Sequence, residues 1–115
     1  MELNEFYRLV GGDYNEVIGR LPTENMIRKY LGKFSNSSDY ADMMSAIKEQ
    51  RWEDAFRGAH NIKGVSMNLG FGILRDSSSE LCEALRGGAP SVDISEMVEK
   101  VSADYENVIG AIAGL

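Results

Sequence analysis

Chemistry near neutral pH is expected at the only histidine of this 115-residue chain, His60, because an imidazole there can act as a nucleophile or exchange a proton. Apolar residues recur at intervals of three and four from Trp52 to Leu69 and predict a helix of about five turns. At about 100° per residue, His60 lies at the border between this apolar stripe and solvent. A histidine that only filled the core would lie on the stripe, so the position favours a working residue over a structural or idle one.

Positive charge surrounds this histidine in the sequence. Arg57 lies one turn before it and Lys63 one turn after it on the predicted helix. Residues 55–75 contain Arg57, Lys63 and Arg75 and no acid, although the whole chain carries a net charge of −6. Such a basic segment would stabilise a phosphoryl group attached to the imidazole.

Gly64, also one turn after His60, points to access for another molecule. Glycine inside a helix costs about 1 kcal/mol relative to alanine, so its presence needs a reason. A bare backbone beside an imidazole leaves room for a partner to approach closely. Packing against a neighbouring helix is the alternative reason for Gly64, and it is the expected one for Gly58.

Composition excludes several other functions. Twelve Lys and Arg against eighteen Asp and Glu have the wrong sign for a protein whose main partner is a nucleic-acid backbone. No apolar stretch approaches the roughly 20 residues that cross a bilayer, and residues 1–5 do not resemble a secretory signal. No membrane association is therefore expected, and the cytoplasm is the expected compartment.

The single cysteine, Cys82, cannot form an internal disulfide, and one thiol with one histidine cannot complete a structural zinc site. No metal site is therefore expected. Cys82 is interpreted as a small buried apolar residue. A catalytic pair of Cys82 and His60 stays open as the alternative, although the sequence shows no orienting group for it.

The elements that must position His60 are all helical, because the apolar spacing of three and four runs through the whole chain and no strand pattern competes with it. The predicted architecture is an antiparallel four-helix bundle with additional short N-terminal helices, and 1–115 is expected to form one domain. The four predicted bundle helices cover residues 38–49, 52–69, 71–86 and 93–112.

The N-terminal helices are predicted between residues 3 and 34, packed against an end or side of the bundle. Asp13 and Thr23 are the expected N-caps of the second and third of them. Asp93 followed by Glu96 has the spacing of a capping box at the start of the last helix.

The run from Ala59 to Gly70, AHNIKGVSMNLG, resembles the histidine-containing phosphotransfer (HPt) domain. The signature of that family is a histidine, two residues, Lys-Gly, and a Leu-Gly or similar pair about six residues later. Trp52 before the histidine, the segment 78–81 of the next helix and the start at 11–13 are similar to small stand-alone bacterial members. The resemblance therefore covers essentially the whole chain.

This resemblance implies a phosphocarrier that is neither a turnover enzyme nor an autokinase. His60 would accept a phosphoryl group from the phospho-aspartate of a receiver domain, or from a kinase, and pass it to a receiver-domain aspartate. Lys63 would stabilise the phosphoryl group, and Gly64 would admit the receiver. The implied partners are response-regulator receiver domains and a sensor or hybrid histidine kinase, and no bound cofactor is expected.

The partner surface is expected along the border of the His60 face. Met67 lies almost directly above His60, and Arg57, Phe56 and Phe71 are placed near the same edge. Ordinary core packing explains Phe56 and Phe71 at least equally well. No helix shows a continuous second apolar face, so a monomer is expected.

Three alternatives remain at this point. A non-catalytic helical adaptor could keep the bundle and bind receiver or kinase domains without phosphotransfer. A histidine kinase fragment would require a nucleotide-binding domain, and nothing in the sequence resembles one. A small hydrolase would require a second polar group near His60, and the sequence does not place one there.

Overall fold

The computed structural model describes residues 1–115 and consists of seven α-helices and no strand, which confirms the all-helical prediction. The helices are α1 (Leu3–Leu9), α2 (Tyr14–Arg20), α3 (Glu24–Ser35), α4 (Asp39–Lys48), α5 (Trp52–Leu69), α6 (Gly72–Leu85) and α7 (Ser95–Ala113). No helix is long and apolar enough to span a lipid bilayer.

The last four helices form the predicted antiparallel bundle. α5 packs against α4 on one side and α6 on the other, and α6 packs against α7. The stacked rings of Tyr40 on α4 and Tyr105 on α7, with centroids 3.9 Å apart, join the first helix of the bundle to the last. α5 has the predicted boundaries, and each of the other three begins and ends within two residues of its prediction.

Hydrogen bonds confirm two of the predicted helix caps. The Asp13 carboxylate accepts from the backbone N–H of Asn15, and the Thr23 hydroxyl accepts from that of Met26. Each bond satisfies one of the free N–H groups at the start of a helix, a contribution of about 1 kcal/mol.

The predicted capping box at the last helix is wrong. The Asp93 carboxylate binds both the backbone N–H and the hydroxyl of Ser95, at 2.9 and 2.7 Å. This local turn delays the helix, so Ile94 is the N-cap and Glu96 lies too early in the first turn to complete the box.

One core of 22 buried residues runs from Leu3 to Ala111 and includes residues of all three N-terminal helices. Phe71, directly after α5, lies in its centre and is fully buried. Its ring lies 5.0 Å from that of Phe34 and 6.1 Å from that of Phe6. The N-terminal helices therefore share the core of the bundle.

The turn between α5 and α6 depends on glycine. Gly70 has φ +81°, a left-handed conformation that ends the helix, and its N–H donates to the Ser66 carbonyl at 3.0 Å. The turn after α1 packs directly on it, since the N–H of Ile73 donates to the Val10 carbonyl at 3.2 Å. This contact fixes where α5 ends relative to α1.

Arg20, on α2, caps the C-terminal end of α5. Its guanidinium donates to the carbonyl oxygens of Met67 at 3.1 Å and Asn68 at 3.0 Å, and it also pairs with Glu16 at 3.0 Å. α5 has no basic residue in its own last turn. Arg20 therefore supplies the cation that the negative end of the helix dipole favours.

Candidate functional site

His60 lies in the middle of α5 with its side chain exposed to solvent. The residues of α5 that face the neighbouring helices are the buried ones: Ala55, Ala59, Ile62, Ser66 and Leu69. This is the apolar stripe that the sequence indicates. The imidazole consequently projects away from the core, at the position that the helical spacing predicts.

The two glycines of α5 have different surroundings. A Cβ built on Gly58 would lie 2.7 Å from the Cβ of Met43 on α4, closer than real side chains approach, so packing explains Gly58 as expected. A Cβ built on Gly64 meets no atom within 4 Å outside its own local helix backbone. Helix packing therefore does not explain Gly64, and the surface beside His60 is open.

Two of the three cations predicted around His60 are paired with nearby acids. Arg57 is exposed and contacts Glu53 at 3.4 Å and Asp54 at 3.8 Å. Arg75 lies in the first turn of α6 and pairs with Asp76 at 3.0 Å. The basic segment of the sequence thus does not become one free basic surface.

A cation that the sequence reasoning missed lies on the α6 side of the site. The Cζ atom of Arg86 is 5.1 Å from the ring centroid of Phe56, which in turn lies 6.0 Å from that of His60. Arg86 follows the last residue of α6, 26 positions after His60. Because α5 and α6 run antiparallel from the turn at Gly70, Arg86 lies opposite Phe56. Counting residues outward from that turn is the sequence signal that would have identified Arg86.

Lys63 faces the same side. Its side chain is half-buried, and its positive charge is one of the causes that hold the pKa of Glu83, on α6, below its usual range. The larger cause for Glu83 is its hydrogen bond to Arg86, which holds the pKa of that carboxyl below its usual range. The charges of Lys63 and Arg86 therefore both act on Glu83, and Arg86 is the one that lies over the Phe56 ring.

A comparison with known families bears directly on this geometry. The family model described as Hpt domain matches residues 34–111, well over half of the chain. The chain belongs to the Hpt domain family. The curated proteins contain no match to it, and neither do the solved structures.

Hpt domains are helical bundles that carry phosphoryl groups and are not turnover enzymes. They interact with receiver domains and kinases in two-component signalling, so this Hpt domain has a role related to phosphotransfer. The match begins within the last turns of α3 and includes the whole predicted bundle. Arg20 and the other residues of α1 and α2 lie outside it.

The prediction that Phe71 contacts a partner is wrong for this Hpt domain. Its side chain is fully buried, because the left-handed turn at Gly70 directs the chain into the core, where Phe6 and Phe34 cover the ring. Met67 is 52% exposed and stays accessible to a partner, whereas Phe56 is half-buried with Arg86 over its ring.

Cys82 is fully buried in α6, as its interpretation as a small core residue predicts. Burial raises the pKa of its thiol, and the charges of Lys63 and Arg86 offset this only in part. A thiol that stays protonated is a poor nucleophile, so the structure does not favour the alternative catalytic pair with His60. No group of three or more His, Cys, Asp or Glu side chains is placed to bind a metal ion.

Proposed function

We propose that His60 is the phosphorylated residue of this Hpt domain. It accepts a phosphoryl group from the phospho-aspartate of a receiver domain, or from a kinase, and passes it to the aspartate of another receiver. The observation that carries the proposal is the exposed imidazole in the middle of α5, beside the open surface at Gly64. We propose that residues 1–115 act together as one unit in this role.

The transfer requires few groups from this chain. A lone pair of the His60 imidazole attacks phosphorus, the phosphorus–oxygen bond of the acyl phosphate breaks, and the aspartate carboxylate leaves. The proton on the second ring nitrogen stays with the ring or passes to water. Phosphoryl transfer depends mainly on in-line positioning and on neutralising the charge of the equatorial oxygens. Lys63 supplies charge one helical turn from the imidazole, and Arg86, directly after α6, supplies a second positive charge.

Access to the His60 imidazole determines which molecules can donate a phosphoryl group to it. A receiver must bring its aspartate to the imidazole along the outward face of α5, and the missing side chain at Gly64 lowers the surface there. An exposed apolar side chain lies one turn further along α5, where Met67 is 52% exposed. Apolar area of this kind suits the core of a transient protein interface.

The test is incubation with phosphoramidate, a small donor from which the imidazole displaces ammonia as the phosphorus–nitrogen bond is exchanged. Intact mass and phosphorus NMR are compared for the natural chain, His60→Ala and the matched control Asn61→Ala, an exposed neighbour on the same helix. We expect one acid-labile phosphoryl group on the natural chain and the control, and none on His60→Ala.

Receiver domains supply the second stage of the test. Transfer of the label from the natural chain to a receiver, with loss of the histidine signal, supports the carrier role. If neither phosphoramidate nor a panel of phosphorylated receivers labels the chain, the proposal fails. Receiver binding that persists in His60→Ala would then favour the adaptor that keeps the bundle without phosphotransfer.

A further inference from the structure

Glu83 pairs with Arg86, the cation that lies over the Phe56 ring beside the candidate site. The guanidinium of Arg86 contacts its carboxylate at two atoms, Nη2 to Oε1 at 2.9 Å and Nε to Oε2 at 3.3 Å. This two-point geometry is the arrangement in which a guanidinium also binds the oxygens of a phosphoryl group. Glu83 therefore occupies Arg86 with the contacts that a phosphoryl group would need.

The positive charge of Lys63, on α5, also acts on the Glu83 carboxylate. The pKa of Glu83 is lowered first by the hydrogen bond and charge of Arg86 and then by the charge of Lys63. Of the other titratable groups nearby, Cys82 is buried, and Glu80 lines a surface groove of α6 together with Glu83 and Arg86. α7 contributes only Met97 to that groove, which adds no charge.

The ion pair of Arg86 and Glu83 is weak enough for Arg86 to change partners. The side chains of Arg86 and Glu83 are 56% and 62% exposed, and exposed ion pairs contribute only about 0 to 1 kcal/mol. A phosphoryl group carries a charge of about −1.5 to −2 with three strong acceptor oxygens and is a stronger partner for a guanidinium than one carboxylate. The Phe56 ring is near both groups, since its centroid lies 5.1 Å from the Cζ atom of Arg86 and 6.0 Å from the ring centroid of His60.

We propose that Glu83 is the resident counter-ion of the phosphohistidine site, holding Arg86 while His60 is unmodified and releasing it to the phosphoryl group after transfer. This inference rests on the proposed function of His60. Because the carboxylate and the phosphoryl group compete for one guanidinium, Glu83 lowers the phosphorylated fraction of the protein at equilibrium with a receiver.

The direct test is NMR of the natural chain before and after phosphorylation of His60 with phosphoramidate. We expect the Nε–H signal of Arg86 to move on phosphorylation. The pKa of the Glu83 carboxyl is expected to rise toward its ordinary value, because the carboxylate loses its guanidinium and gains a negative neighbour. No substitution is needed, so the result does not depend on whether a variant folds.

A variant measures the competition itself. Glu83→Gln is expected to raise the ratio of phosphorylated to free protein at equilibrium with one receiver by about 1.5- to fivefold, which corresponds to the 0.2–1 kcal/mol typical of an exposed ion pair. The matched control is Glu49→Gln, which removes a similarly exposed carboxylate paired with Arg51 at 3.1 Å, at the start of α5. The control is expected to leave the ratio unchanged.

The two proposals fail in different ways. Absence of any phosphoryl group on His60 would overturn the proposed function and this inference with it. Full phosphorylation of His60 with unchanged Arg86 and Glu83 signals would overturn only the inference. An equal change of the equilibrium in the Glu83 and Glu49 variants would also overturn it, since general charge would then be the cause.

Discussion

Gly58 and Gly64 lie on the same helix, and the structure gives them opposite surroundings. At about 100° per residue they point roughly 120° apart. Gly58 faces α4, where the Met43 side chain fills the space of a Cβ, whereas Gly64 faces outward with nothing beyond its own backbone. One glycine allows two helices to approach, and the other leaves a surface that the isolated protein does not use. The second is therefore the better sign of a partner.

The largest change in stability is expected at Gly58, the glycine that packs against α4. Gly58→Ala places a Cβ 2.7 Å from the Cβ and 3.2 Å from the Cα of Met43, so α4 must move. Overpacking of this kind costs about 1–3 kcal/mol in free energy of unfolding, measured by urea denaturation. Labelling of the folded variant by phosphoramidate should stay unchanged. Unchanged stability would show that the Gly58 contact is not a tight one.

At Gly64, the exposed glycine, a substitution by alanine is expected to stabilise the protein instead of destabilising it. Gly64→Ala should raise the free energy of unfolding by up to about 1 kcal/mol, because alanine is the better helix former and its methyl group meets nothing. The same variant should accept the phosphoryl group from a receiver more slowly than the natural chain does, while phosphoramidate, a small donor, labels both equally. A variant that is stabilised and transfers at the natural rate would contradict the role of Gly64 in access.

A smaller effect is expected for the exposed apolar residue on the same face. Met67→Ser should change the free energy of unfolding by less than about 0.5 kcal/mol, because the side chain is 52% exposed. Rates of transfer from a receiver should fall a few-fold, measured at subsaturating receiver concentration. Equal rates would place the interface elsewhere on the bundle.

The smallest effect is expected at the ion pairs of Arg57. Its contacts with Glu53 and Asp54 are 3.4 and 3.8 Å long and exposed, so Arg57→Gln should change the free energy of unfolding by less than about 0.5 kcal/mol. Any loss of receiver binding in this variant should become smaller as salt is added, because salt screens the surface charge that Arg57 contributes to binding. A loss that is independent of salt would indicate a direct, desolvated contact instead.

The features that the sequence predicts well are those set by neighbours in the chain. The boundaries of α5 and the outward position of His60 follow from helical periodicity, and the caps at Asp13 and Thr23 follow from side chains that reach their own next turn. Local hydrogen bonds and a period of 3.6 residues need no knowledge of the tertiary fold.

The features that the sequence did not reveal depend on contacts between distant segments. The sequence leaves both a partner contact and core packing open for Phe71, because the rings that cover it, Phe6 and Phe34, come from helices far away in the chain. Arg86 was missed because only the antiparallel pairing of α5 and α6 brings it over Phe56. A window of sequence around His60 cannot contain either contact.

The guanidinium of Arg20 on the last carbonyl oxygens of α5 has a consequence for local unfolding. Helix ends ordinarily fray first and exchange their amide hydrogens fastest. Because Arg20 on α2 holds the carbonyl oxygens of Met67 and Asn68, we expect the last turn of α5 to open less readily while α2 stays in place. Amide protection at the end of α5 is therefore expected to report on whether α2, which lies outside the matched family region, stays docked.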